Sequence, residues 1–168
     1  MKSDTVVPPR ERKGKAADPC VVRRILVPVD FSAATNPALR YATRFAENFG
    51  ATVYPVYVIE SIGALKEAQI IGERADMEAA KAAMRAKLAE LANEEIEELV
   101  PVFPDVEEGG PAEKIVALAR KHRADLLIIS THGRTGLKHT LMGSVAEEVV
   151  RRAPCPVLVV RSHERDFA

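Results

Sequence analysis

From residue 23 onward the apolar positions switch repeatedly between unbroken runs and helical spacing. Ile25-Leu26-Val27-Pro28-Val29 is a short continuous run, the pattern of a strand covered on both faces. Asn36-Pro37 supplies an N-cap and a proline at the first helical position, and Leu39, Ala42, Phe45, Ala46 and Phe49 then recur at helical spacing before Gly50. Residues 51–59 form a second apolar strand, in which Pro55 predicts a bulge or local break through its missing N–H. Residues 61–72 read as a loop, and 73–99 as a long helix rich in Ala, Glu and Lys. Its stripe of Met77, Met84, Leu88 and Leu91 suits a face packed on a sheet; a coiled-coil seam is the other reading, and the heptads are few for it. A weaker third strand over 100–106 is marked as an edge by Pro101 and Pro104. Gly110-Pro111 opens a helix carrying Ile115, Val116, Leu118 and Ala119, and Asp125 leads into a buried strand over 126–129. A glycine-bearing loop, a helix over 144–152, and a strand over 157–161 after Pro156 complete the pattern.

Strand and helix alternate, so right-handed crossovers give an α/β fold with one doubly wound, five-stranded parallel sheet. Ligands of such sheets lie at the carboxyl ends of the strands, where the strand order reverses. Two loops are expected to meet there, Asp30-Phe31-Ser32 after the first strand and 130–143 after the fourth. A length of 168 residues suits one domain, placed at 23–162, between a flexible basic tail at 1–22 and a short tail at 163–168. Lys2, Arg10, Arg12, Lys13 and Lys15 make the first tail either a basic arm for an acidic partner or simply a solvated end. No apolar stretch follows these residues, so a signal peptide is not expected and a cytoplasmic location is.

Composition narrows the classes further. The 24 Lys and Arg balance 24 Asp and Glu, which argues against a nucleic-acid binder. Apolar runs fall far short of the ~18 residues needed to span a bilayer. Two cysteines, Cys20 and Cys155, cannot build a disulfide framework or a zinc site alone. His132 and His139 have no Cys or carboxylate near them at metal-ligand spacing, and no nucleophile–base arrangement stands out; neither a metal site nor a catalytic group is assigned.

The segment 130–144 is the most informative. It holds Gly133, Gly136 and Gly143, hydroxyls at Thr131 and Ser144, and a helix start directly after Gly143. Backbone N–H groups at such a start cradle phosphates. The other reading is a glycine-rich connector whose Ser144-x-x-Glu147 is a capping box. Asp30 has the same two faces, an acceptor for ribose hydroxyls or an adenine amine on one reading and an Asx-type turn residue on the other. Neither G-x-x-x-x-G-K-[ST] nor G-x-G-x-x-G is present.

Ile25-Leu26-Val27-Pro28-Val29-Asp30-Phe31-Ser32, the Gly110-Pro111 helix start, the run from Ala124 through Gly136, Gly143-Ser144-Val145-Ala146 and Ala153-Pro154-Cys155-Pro156-Val157 together resemble the universal stress protein family. The resemblance implies a flavodoxin-like sheet of order 3-2-1-4-5 with helices on both faces. It also implies a cytoplasmic homodimer acting in stress response, and a branch of the family that binds ATP. That branch carries Gly, two residues, Gly, nine residues, then Gly and a hydroxyl residue; Gly133, Gly143 and Ser144 match, whereas Ser130 stands at the first glycine. By position, the resemblance puts adenine near Val29 and Val58, ribose on Asp30, and phosphates on Ser130, Gly133, Gly143, Ser144 and Val145. Pro28, Ser32, Ile129, His132, Arg134 and Gly136 complete the implied set, with Mg²⁺ held mainly by the phosphates. Dimerisation through 157–161, an unidentified protein partner and no rapid catalysis are the accompanying expectations. The competing readings are a ligand-free dimeric adaptor, a nucleotide-using transferase and a flavin carrier.

Overall fold

The computed structural model describes residues 21–131 and 142–161. Ten elements follow one another: β1 (Arg24–Pro28), α1 (Thr35–Phe49), β2 (Thr52–Ile59), α2 (Ile62–Glu67), α3 (Met77–Glu95), β3 (Asp105–Glu108), α4 (Pro111–Lys121), β4 (Leu126–Ser130), α5 (Ser144–Arg152) and β5 (Val157–Val160). The strands form one sheet in the order β3-β2-β1-β4-β5, every neighbouring pair parallel. This is the expected doubly wound arrangement, with the order reversing between β1 and β4.

Alternation along each strand divides the core in two. Ile25, Val27, Val53, Tyr57 and Ile128 face one side, where they meet Leu39 and Ala42 of α1 and Met84 and Leu88 of α3. Leu26, Val56, Val58, Leu127 and Ile129 face the other, against Ile115 and Leu118 of α4 and Val149 of α5. The methionine and leucine stripe of α3 is therefore a sheet-facing surface, with Ala80, Met84, Leu88 and Ala92 all buried. Gly50 closes α1 in the left-handed conformation at φ 63°, which glycine adopts without a Cβ clash.

Several local expectations are corrected. Asn36 does not cap α1; the helix begins at Thr35 after Ala34, and the Asn36 amide donates instead to Glu95 Oε1 at 2.6 Å. Residues 61–72 are not simply a loop, because Ser61 accepts from Ala64 N–H and opens α2. The long helix is shorter at both ends, starting where Asp76 accepts from Ala79 N–H at 2.9 Å. β2 runs through Pro55 without a bulge, pairing with β1 from Thr52 to Val56. Val53 N–H bonds Pro101 on the β3 side, so alternation turns the Pro55 nitrogen to that side as well, opposite Pro104. The ladder lost to Pro55 is the one with β3, which is reduced to a bridge at Val102 and a strand from Asp105 to Glu108.

Candidate functional site at the switch point

Between the carboxyl ends of β1 and β4 lies an open cleft of about 190 Å³. Its apolar wall comes from Val29, Val56, Val58 and Ile129 of the strands and Ile115 of α4. Asp30 and Thr35 line one flank, Glu60 stands at the end of β2, and Ser130, Thr131 and the first turn of α5 form the other flank.

The first turn of α5 is placed by backbone bonds. Gly143 N–H donates to Thr131 O at 2.7 Å, and Thr131 N–H donates to Val160 O at 2.8 Å. The helix start is thus held beside the tip of β4. Gly143 is the N-cap with φ −71° and ψ 153°, and among the described residues no side chain caps the helix. Ser144 is therefore the first helical residue rather than the cap, which overturns the capping-box reading. Glu147 does not reach back to the helix start; its carboxylate meets Arg151 at 2.5 Å, and Glu148 pairs with Arg152. The first intrahelical bond is Glu147 N–H to Gly143 O, so the N–H groups of Ser144, Val145 and Ala146, which line the cleft, have no acceptor within the helix and give its start a partial positive charge.

Asp30 is held just as firmly. Its Oδ1 accepts from Ser32 N–H at 3.0 Å, Ser32 Oγ at 2.6 Å and Thr35 Oγ1 at 2.7 Å. The Asx turn is thus present, and Asp30 also lines the cleft. Phe31 between them adopts φ 61°, an unusual conformation for an aromatic residue. Its ring is held by Tyr57 at 5.0 Å and by the Lys87 ammonium at 4.8 Å.

Of the site residues read from sequence, Pro28, Val29, Asp30, Val58, Ile129, Ser130, Gly143, Ser144 and Val145 line this one cleft. Ser32 does not; it lines a neighbouring groove between α1 and α3 and reaches the cleft only through Asp30. His132, Gly133, Arg134 and Gly136, with Lys138 and His139, lie outside the described residues. Ser130 ends β4 in extended backbone and is absent from the positive-φ positions, so its backbone tolerates a side chain. Sequence reasoning missed Thr35, Tyr57, Glu60 and Ile115. Thr35 was findable, as a hydroxyl residue at a helix start five positions after Asp30; the others come together only through the sheet.

The fold is a flavodoxin-like α/β sheet with its cleft at the switch point. The sequence model of the Universal stress protein family matches residues 22–161, and the chain belongs to that family. It is 36% identical over 150 residues to the universal stress protein MJ0531 of Methanocaldococcus jannaschii, covering 86% of this chain and 85% of that one. The solved structure of MJ0577 from the same organism superimposes with a TM-score of 0.69 at 28% identity, covering 88% of this chain and 99% of that chain. A universal stress protein solved in complex with cAMP has the same fold, with a TM-score of 0.61 at 22% identity over 84% of this chain and 98% of its own. Among the described residues no helix is long and apolar enough to cross a membrane.

Proposed function

We propose that this chain binds an adenine nucleotide, ATP with Mg²⁺ carried mainly by the phosphates, and acts as a nucleotide-responsive stress protein in the cytoplasm. The observation that carries the reading is one cleft with a carboxylate at Asp30 on one flank and the uncapped start of α5 on the other. A nucleoside phosphate has matching poles: hydroxyl donors for Asp30 and anionic oxygens for the N–H groups of α5. Its base fits the apolar wall at Val29 and Val58. A relative of the same fold binds cAMP, a nucleotide with the same base and sugar. Turnover is slow or absent in this reading, because the cleft is read as a binding site with no base or nucleophile assigned to attack phosphate. The protein works as a homodimer through β5 and passes the bound state to a protein partner.

Calorimetric titration with ATP tests this. Gly143 has extended backbone, and among the described residues a Cβ there meets only Thr131 O at 3.4 Å, so its backbone accepts a larger residue. Gly143→Val fills the space where phosphate meets the helix start and is expected to abolish binding while leaving the fold intact. Ser130→Gly is expected to keep or raise the affinity. A wild type that binds no ATP beside a Ser130→Gly variant that does would make the ligand-free adaptor the better reading.

A further inference from the structure

We propose that Ser32 and Thr35 are positioning residues that make the cleft selective for ribose over deoxyribose, acting through Asp30. The inference rests on the nucleotide reading above and adds the part of the ligand that these two residues decide.

Thr35 is the first residue of α1 and is only 1% exposed, an uncommon place for a hydroxyl. The hydroxyl is not idle packing. It donates to Asp30 Oδ1 at 2.7 Å and accepts from Asp30 N–H at 3.4 Å, so it binds both ends of the same residue. Ser32 brings two more donors to that oxygen, at 2.6 and 3.0 Å. Three donors converging on Oδ1 hold the plane of the carboxylate that a sugar hydroxyl would meet. Phe31 supports the arrangement: its φ of 61° folds the turn so that Ser32 comes back to Asp30.

An ionised carboxylate only accepts hydrogen bonds. It therefore selects donors and repels phosphate, which orients a nucleotide with its sugar at Asp30 and its phosphates at α5. A ribose presents a vicinal pair of hydroxyls, and a 2′-deoxyribose presents one. Discrimination between them depends on how sharply the carboxylate is aimed, because a rotating acceptor satisfies one donor nearly as well as two. Ser32 and Thr35 supply that aim through their bonds to Asp30.

Titration of the full chain with ATP and with 2′-deoxy-ATP, accompanied by thermal unfolding, tests the proposal. Wild type is expected to prefer ATP, and Thr35→Val to lose ATP affinity on the order of tenfold while 2′-deoxy-ATP affinity stays nearly constant. Thr35→Ser, which keeps the hydroxyl, is expected to restore the preference. Ser32→Ala is expected to act in the same direction and carries the test if Thr35→Val does not fold. A wild type that binds both nucleotides equally overturns the positioning role and leaves the nucleotide reading intact. Equal losses for both nucleotides in the variants overturn it too, since they mark a general structural effect. A wild type that binds neither overturns both readings together.

Discussion

At one edge of the sheet β3 presents Asp105, Glu107 and Glu108, and at the other β5 consists of Val157, Leu158, Val159 and Val160. Both are four residues long, yet they handle an exposed edge in opposite ways. β3 is tied down by its own neighbours. Asp105 Oδ2 meets Lys121 Nζ and His122 Nε2, each at 2.8 Å, and Arg85 of α3 stands 3.9 Å from Oδ1. Lys81 of α3 reaches Glu108 at 3.7 Å. Charges and prolines along an edge oppose pairing with another chain. β5 has no acidic or basic residue, and Val157, Leu158 and Val159 remain half-buried with only part of their surface covered by the chain itself. The sheet thus has one edge closed against partners and one left apolar, which supports β5 as the surface of the proposed homodimer.

The strongest way to break this comparison is Val159→Lys, which places a charge in the middle of the apolar edge. It is expected to convert the dimer to a monomer at micromolar concentration, read by light scattering. If the variant remains dimeric, the contact lies elsewhere, and Leu99 and Phe103, 96% and 59% exposed below β3, become the next surface to alter. The α3 stripe is no longer available for that role, since Met84 and Leu88 are fully buried on this chain's own sheet.

Removing the anchor of the closed edge has a smaller effect of a different kind. Asp105→Ala leaves Lys121 and His122 without their shared acceptor and is expected to cost about 1–2 kcal/mol in urea unfolding. Oligomeric state is expected to stay unchanged. A fall in dimer content equal to that of Val159→Lys would contradict the assignment of the two edges.

The contrast between these edges also shows what sequence could convey. The apolar run of β5 and the Pro101/Pro104 punctuation of β3 were readable, because both act locally on backbone pairing. The short length of β3 was not, because it depends on Pro55 of β2 lying opposite Pro104, a match of two distant segments. The cleft divides in the same manner. Asp30, Gly143 and Ser144 stand in recognisable local patterns, whereas Ile115 and Glu60 belong to the site only because β2 and α4 flank β1 and β4. The caps failed for a related reason. Asn36 is a good N-cap residue, but Thr35 is drawn into the helix start by its bonds to Asp30, and Asn36 is left to find Glu95.

The closed edge also has a pH signature. Burial alone raises the pKa of Asp105, but the hydrogen bonds from Lys121 and His122 and the Lys121 charge outweigh it, and the net shift is below the ordinary aspartate value. A depressed folded pKa gives stability that is present above the unfolded value and lost as pH falls through the folded one. The advantage of wild type over Asp105→Asn is therefore expected to hold at pH 5 and shrink toward about pH 3, from urea midpoints at each pH. Lys121 moves the opposite way. Its hydrogen bond to Asp105 raises its pKa, so its share persists through neutral pH and fades only above its unfolded value. An advantage that grows on acidification would show that Asp105 is not the favoured anion of this edge.

The smallest expected effect reports on the open edge. Cys155 lies half-buried between Pro154 and Pro156, just before β5 begins. Burial, and secondarily the charge of Asp125, pushes its thiol above the usual range, so little thiolate is present at pH 7. In a Cys20→Ser background, Cys155 is expected to react with a maleimide several-fold more slowly than a free thiol. If a second copy covers β5, it also shields the strand's entrance, and the Val159→Lys variant should label faster than the dimer at equal pH. Equal rates in the two forms would mean that the cover begins beyond residue 155. A dimer that labels as fast as a free thiol would mean that the β5 entrance is open, and the partner surface would then have to be sought away from this edge.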